Sequence, residues 1–368
     1  MKPARRRTTR RQSRRIPTLS LFSGAGGMDL GFAAAGFSIL GSIDTDPYSC
    51  RTIDLNSGKR SYLHRPAILC KDVCKLSGPD VLRAVGARSA EIEFVIGGPP
   101  CQAFSVFGRR GGLDDPRGSL VWEYLRIVQE IEPQAFVFEN VAGLRSIHNG
   151  ELYSELLEAM TCRGAYVVSD HIYELANFGI PQFRKRVFFI GSRGGKRIPP
   201  MAETHGPPDS LHCLLPWVTV GKVLSGMPGP GPRQPLANHV GRVHSGRIVQ
   251  RYRDLRYGER DPRTRINKLH PDRPSFTIIV GSDAGGGKGH VHPYFPREVT
   301  PRESARLQTF PDWWEFAGTG RHVIRQVGNA VPPLFAALLG QQVAHYVFGT
   351  HLVTYGELVH RLGLDFLE

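Results

Sequence analysis

Apolar residues in the first half of the chain gather into short unbroken runs, separated by stretches with helical spacing. The runs are Thr18–Phe22, Ser38–Ile43, Ile68–Val73, Phe94–Ile96, Ala135–Phe138, Tyr166–Leu175 and Val187–Gly191. Each has the length of a strand, and the scarcity of polar alternation within them is that of strands buried in a sheet. Between the runs, Met28, Leu30, Phe32 and Ala35 mark a helix that closes at Gly36. Leu120, Val121, Tyr124, Leu125, Val128 and Ile131 mark a second helix stopping before Pro133, and Leu152–Met160 a third. Strands alternating with helices in this way predict one parallel, doubly wound sheet.

The pattern changes after Gly191. From Gly194 to about His290 the chain is rich in Pro, Gly, Arg and His and has few long apolar runs, which predicts a second, smaller, irregular domain with a basic surface. Thr300 followed by Pro301 opens a helix reaching Gln308. Pro332–Val347 is apolar enough for a core helix and would return the C-terminus to the first domain. The expected division is an arm over 1–15, a first domain over 16–193 plus 322–368, and a small domain over 194–321. There is no internal repeat.

Composition narrows the class. Of 368 residues, 40% are hydrophobic and 22% charged, an ordinary balance for a globular protein in water. No apolar run has the length of a membrane span, and IPTLSLFSGAGG, which follows the basic N-terminus, is too polar and glycine-rich for a signal-peptide core. Cys50, Cys70, Cys74, Cys101, Cys162 and Cys213 contain no CxxC pair, which favours the reduced thiols of a cytosol over a disulfide framework or a zinc site. No metal is predicted.

The net charge of +14 calls for a polyanionic partner. Eight of these charges (Lys2, Arg5, Arg6, Arg7, Arg10, Arg11, Arg14 and Arg15) precede Ile16 with no acid among them. Such an arm either meets nucleic acid or solubilises the terminus. A second concentration, Arg242, Arg247, Arg251, Arg253, Arg256, Arg260, Arg263 and Arg265, has Tyr252 and Tyr257 interleaved. It suits a nucleic-acid backbone, or is the solvated face of an insertion.

Candidate chemistry sits where the predicted strands end. Ser23-Gly24-Ala25-Gly26-Gly27 joins the first strand to the first helix, as in a nucleotide-binding α/β unit, although a structural tight turn would use the same glycines. Asp44 ends the second strand, where an acid takes ribose hydroxyls or, like Asp46, caps the next helix. Asp72, after the third strand, could meet an adenine amino group or act as a cap. The fourth strand runs into Gly97-Gly98-Pro99-Pro100, a stiff turn that presents Cys101 as a nucleophile or buries it as a small hydrophobe. Glu139 and Asn140 end the fifth strand, Glu139 as an acid partner or a cap. Gln182, Arg184, Lys185 and Arg186 precede the last strand, as part of a site or as a solvated edge. Gly285, Gly286 and Gly287 form a loop able to approach a ligand or to turn the chain.

Together these segments resemble the DNA cytosine-5 methyltransferase family, over most of the chain. The shared blocks, in order, are FSGAGGMDLGF at Phe22–Phe32, the acid at Asp44, KDV at Asp72, GGPPCQAFS around Cys101, ENV at Glu139–Val141, QFRKR at Gln182–Arg186, TPRESARLQTFPD at Thr300–Asp312 and QVGNAVPP at Gln326–Pro333. RPSFTIIVGSDAGGG resembles the end of the family's target-recognition region. The resemblance implies a doubly wound, mostly parallel sheet of the Rossmann-like S-adenosylmethionine-dependent methyltransferase fold, with a smaller irregular target-recognition domain. It also implies methyl transfer from S-adenosylmethionine to carbon 5 of a cytosine flipped out of duplex DNA.

Carried over position by position, Cys101 attacks C6, Glu139 serves N3, and Arg186, assisted by Arg184, holds the base carbonyl. Phe22, Gly24, Gly26, Asp44, Asp72, Val73, Gly98, Pro100, Asn329 and Ala330 would bind the cofactor. Gln102, Ser105, Thr277 and Gly285–Gly287 would meet the DNA. Two departures concern the cofactor: position 44 is Asp rather than Glu, and Thr45 stands where the family usually has a bulky apolar residue against adenine, leaving that contact to others such as Val73. The implied setting is a bacterial cytoplasm and nucleoid, with double-stranded DNA as partner, no membrane, and a monomeric chain needing no protein partner, with or without a cognate restriction endonuclease for the same site. A tRNA cytosine-5 methyltransferase and a catalytically inactive DNA-binding regulator are the alternatives. A nicotinamide-dependent thiol enzyme lacks its full GxGxxG here.

Overall fold

In the computed structural model the described residues are 14–100, 119–210, 214–233, 235–278, 280 and 289–368. The first half alternates as its apolar pattern predicts. β1 (Ile16–Leu21) leads to α1 (Gly27–Ala34), β2 (Phe37–Asp44), α2 (Pro47–Asn56), β3 (Ala67–Cys70) and α3 (Gly78–Val85). After these come β4 (Phe94–Gly97), α4 (Ser119–Ile131), β5 (Ala135–Val141), α5 (Glu151–Met160), β6 (Val167–Glu174) and β7 (Lys185–Ser192). Caps explain the helix starts. Asp46 accepts from the Tyr48 amide ahead of Pro47, and Ser77 and Asp80 form a reciprocal capping box.

Among the described residues, seven strands form one sheet in the order β3-β2-β1-β4-β5-β7-β6. The chain moves outward from β1 to β3 and then restarts on the other side with β4, so the switch point lies between β1 and β4. The sheet is mostly parallel, as expected; the exception is β7, which is antiparallel to both β5 and β6. The link from β6 to β7 is too short for the crossover that a parallel pair requires, and holds only a 3₁₀ turn at Leu175–Phe178. Its apolar run gives no hint of direction.

Both faces of the sheet are covered, which is why its strands read as continuous apolar runs. Phe94 and Ile96 of β4 point into one cluster with Phe32 and Phe37, and Val95 points into the other with Tyr124 and Phe136. The first cluster is completed by later segments: α6 (Val220–Leu224), then, after α7 (Gly246–Asp254), α8 (Pro301–Leu307), α9 (Gly320–Asn329), α10 (Pro333–Phe348) and α11 (Tyr355–Leu362). Val299, Leu307, Phe310 and Trp314 therefore pack in the same core as Phe32, whereas Tyr252, Ile266 and Val291 form a small cluster of their own. α11 is tied across the back of α1, with Arg361 donating to the Ala34 carbonyl and the Trp313 indole to that of Leu362. Among the described residues, no helix is long and apolar enough to cross a membrane.

The tightest helix contact is α1 on α10. A Cβ on Gly31 would stand 2.3 Å from the Pro333 carbonyl oxygen and 2.5 Å from the Ala336 Cβ. Both opposing atoms belong to a buried, packed helix that has little room to retreat. Gly31→Ala is expected to cost about 3 kcal/mol in denaturant unfolding; an unchanged midpoint would show that α10 can shift freely.

Candidate active site

β1 ends in a turn with unusual backbone. Phe22 adopts φ 54 and Gly24 φ 52, both left-handed, a conformation that a side chain tolerates poorly. The turn is held on the end of β2: the Ser23 amide and hydroxyl both donate to the Ile43 carbonyl (3.0 and 3.1 Å), and the Gly24 amide donates to Asp44 Oδ2 (2.8 Å). Asp44 Oδ1 accepts from the Asp46 amide (2.8 Å), so both carboxylate oxygens are oriented by backbone. Burial pushes the Asp44 carboxyl up, and these amides pull it back toward the charged form. No atom lies within 4 Å of where a Cβ on Gly24 would project. That open cradle beside an oriented carboxylate fits an adenosine-type ligand.

A cavity of about 1210 Å³ opens over this turn along the carboxyl edge of the sheet. Phe22, Gly24, Asp44, Asp72, Val73, Gly98, Pro100, Glu139, Arg184, Arg186, Asn329 and Ala330 all line it. Asp72 also caps the turn after β3, accepting from the Cys74 amide at 3.0 Å. Thr45 is exposed at the rim, and the apolar wall includes Val73 and Leu120.

Two expected residues do other work. Gly26 packs away from the cavity, where a Cβ would meet the Trp314 ring at 3.1 Å and Ile53 at 3.2 Å. Thr277 spends its hydroxyl on the Phe183 carbonyl (2.7 Å). Cys101, Gln102, Ser105 and Gly285–Gly287 lie outside the described residues.

Across the switch point stands a charged pair. Arg186 on β7 places Nε 3.0 Å from Glu139 Oε1 on β5. The register pairs Val141 with Arg186, so Glu139 lies diagonally opposite on the same face. Glu139 also closes on the glycine-proline turn, its Oε2 standing 3.0 Å from where a Cβ on Gly98 would be. Asn140 secures that turn, donating to the Pro99 carbonyl at 3.3 Å. Arg184 is 2% exposed, and its Nη2 donates to the Gly328 and Ala330 carbonyls at 3.0 and 3.1 Å. Its Nε and Nη1 find no acceptor among the described residues. Burial pulls its pKa down to about 9, helped by Arg186 and opposed by Glu139, so it keeps its charge near neutrality. Among the described residues, no group of acids, histidines and cysteines is placed to hold a metal ion.

Sequence reasoning missed Asp29. It lies on α1 directly beneath the cradle, accepting from Ser20 on β1 (2.5 Å) and Ser42 on β2 (2.7 Å). An acid within FSGAGGMDLGF reads as a helix-surface residue, and only the two serines, each on an adjacent strand, reveal its burial. Arg325, which joins Asp46 across the cavity mouth at 3.2 Å, was also missed.

A doubly wound sheet with a glycine cradle and strand-end acid on one side of its switch point, and a carboxylate–arginine pair on the other, is the architecture of an α/β enzyme with room for a nucleoside-type ligand. The family model for C-5 cytosine-specific DNA methylases matches residues 16–224 and 233–345, and the chain belongs to that family. It is similar to the Type II methyltransferase M.XorII of Xanthomonas oryzae pv. oryzae, 34% identical over 88% of this chain and 84% of that one. It is likewise similar to M1.HphI of Haemophilus parahaemolyticus, 34% identical over 88% of this chain and 86% of that one. The crystal structure of a DNA modification methyltransferase encoded within an E. coli prophage matches with a TM-score of 0.73 at 26% identity, covering 91% of this chain and 100% of that one. The protein is thus a DNA cytosine-5 methyltransferase that uses S-adenosylmethionine as methyl donor.

Asp29 carries a pH signature. Burial pushes its carboxyl up to about 6, against the lowering effect of Ser20 and Ser42. A carboxyl raised on folding contributes stability that is complete below its unfolded pKa, about 4, and is lost as pH rises through the folded value. Between pH 4 and 7 the wild type should therefore lose on the order of 2–3 kcal/mol relative to Asp29→Asn. Parallel slopes for the two proteins in pH-dependent unfolding would rule out this burial effect.

Proposed function

We propose that this chain is the modification enzyme of a restriction–modification system, methylating cytosine within one short duplex sequence with Cys101 as nucleophile. The observation that carries the reading is the Glu139–Arg186 pair, held 3.0 Å apart against the Gly98–Pro100 turn. Cys101 is next in sequence after Pro100, which lines the same cavity.

In this reading the Cys101 thiolate adds to C6 of the flipped cytosine, and Glu139 gives a proton to N3, so that the electrons pushed into the ring do not accumulate as charge. Arg186 holds the base carbonyl while orienting Glu139, and Arg184 presents its unused Nε and Nη1 donors to the same side. Gly24, Asp44, Asp72 and Val73 would hold S-adenosylmethionine, which would supply an electrophilic methyl group to C5 with its thioether as the leaving group. A solvent base then takes the C5 proton, the freed electron pair re-forms the C5–C6 double bond and expels Cys101 as thiolate, and N3 returns its proton to Glu139.

Target choice falls to the region from about Gly194 to Tyr294. There the buried Asp261 carboxylate organises a turn by accepting from the Arg263 and Thr264 amides and from Arg251. Arg263 and Arg265 are exposed on that turn, where they suit duplex phosphates. The cellular setting in this reading is the bacterial cytoplasm, with the enzyme acting as a monomer on the nucleoid.

Sequencing of methylated cytosines in a plasmid from expressing cells should reveal one short motif; unmodified plasmid DNA from a cofactor-binding protein would favour an RNA substrate. Cys101→Ser should abolish transfer and leave duplex affinity within a few-fold, and any retained turnover would remove Cys101 from the chemistry. Deleting residues 1–15 should flatten the salt dependence of non-specific DNA binding, because fewer counterions are released. An unchanged slope would take the arm off the DNA.

A further inference from the structure

Four buried groups join the target-recognition segment to Arg184 in a line. Ser275 pairs with the QFRKR block through backbone hydrogen bonds, its amide to the Pro181 carbonyl and its carbonyl from the Phe183 amide, both 2.9 Å. Three residues on, the Ile278 amide donates to Oε1 of Gln182 (3.3 Å). The Gln182 side-chain amide donates to Oε1 of Gln308, and the Gln308 side-chain amide donates to the Ala330 carbonyl (2.6 Å). That carbonyl also accepts Nη2 of Arg184. Gln182 and Gln308 are each 0% exposed.

We infer that Gln308 is a positioning residue for catalysis: it transmits the placement of the recognition segment at Ile278 to the Arg184 guanidinium through the Ala330 carbonyl. The inference rests on Arg184 facing the target base, as proposed above. Three features of the arrangement carry it. The amides are aligned donor to acceptor in one sense, so each bond polarises the next. The Ala330 carbonyl accepts from both Gln308 Nε2 and Arg184 Nη2, so moving one donor alters the bond to the other. Ile278 and Val280 also pack on Gly328, the second carbonyl that holds Arg184: a Cβ there would lie 2.6 Å from Val280 Cγ2 and 3.4 Å from Ile278 Cγ2. A shift of the recognition segment therefore reaches both carbonyls at once.

A methionine would fill the volume of Gln308 and make neither of its two side-chain bonds.

The test uses the full-length enzyme on a duplex carrying the methylated motif found by sequencing, and on the same duplex with one flanking base changed. For Gln308→Met, kcat on the cognate duplex should fall about ten- to a hundredfold, while KM for S-adenosylmethionine stays within about twofold. The preference for cognate over altered duplex should shrink. Adding Gln182→Met should cost nothing further, because both changes cut one line. A folded Gln308→Met enzyme with wild-type kcat and preference, or a double variant whose losses multiply, overturns the inference. If Gln308→Met does not fold, Gln308→Glu, which keeps the volume but cannot donate to Ala330, is judged by the same criteria. Arg184→Lys separates the two levels. Full activity in that variant defeats the underlying reading of Arg184, whereas loss there with an intact Gln308→Met defeats only the relay.

Discussion

A guanidinium removed from water costs several kcal/mol unless its protons find acceptors. Arg184 meets part of that demand, through Nη2, with two backbone carbonyls rather than with a carboxylate, and both belong to the turn at the end of α9. Three of its five N–H donors, on Nε and Nη1, have no acceptor among the described residues, and the side chain lines the cavity. It also obliges the C-terminal block to return to the sheet edge, since no nearer segment supplies those carbonyls. The cavity, the Glu139–Arg186 pair beside it and the passage from β7 to α10 are all arranged around this requirement.

Much of this was legible in the sequence because it is written locally. Short apolar runs, glycines after the first and prolines after the fourth give strands, turns and the edge at which ligands bind. Asp44 and Glu139 stand at run ends, and run ends fall at that edge; Arg186 opens its run and reaches the same edge because β7 is antiparallel. What stayed hidden depends on distant partners. The direction of β7 is set by a short link rather than by its side chains. Asp29 looks like a helix-surface acid until Ser20 and Ser42 are seen on either side of it. Gln182 and Gln308 are unremarkable amides whose meaning is their contact across the chain. Gly26 and Thr277 belong to matching blocks, yet packing against Trp314 and bonding to Phe183 explain them.

The two halves of the site differ in how they are stiffened. The half around the glycine cradle is held by backbone amides on Asp44 and by a buried carboxyl between two serines, bonds formed within the first two strands and their helix. The half around Glu139 and Arg186 is held by elements from three parts of the chain: β5, β7 and the block around Ala330. The first set of bonds is local in sequence. The second exists only when tertiary packing is complete, which makes it the natural place for recognition to influence chemistry.

The seat of α1 on α10 joins residues some three hundred positions apart. During synthesis, the glycine cradle leaves the ribosome long before the helix that steadies it. Until α10 has emerged, α1 has an uncovered apolar face and Arg184 has no carbonyls to bind. A nascent chain therefore lacks the residues that complete this cavity until its last part has been made. Contacts this distant also favour slow folding, so the interval between translation and first turnover is built into the order of the chain.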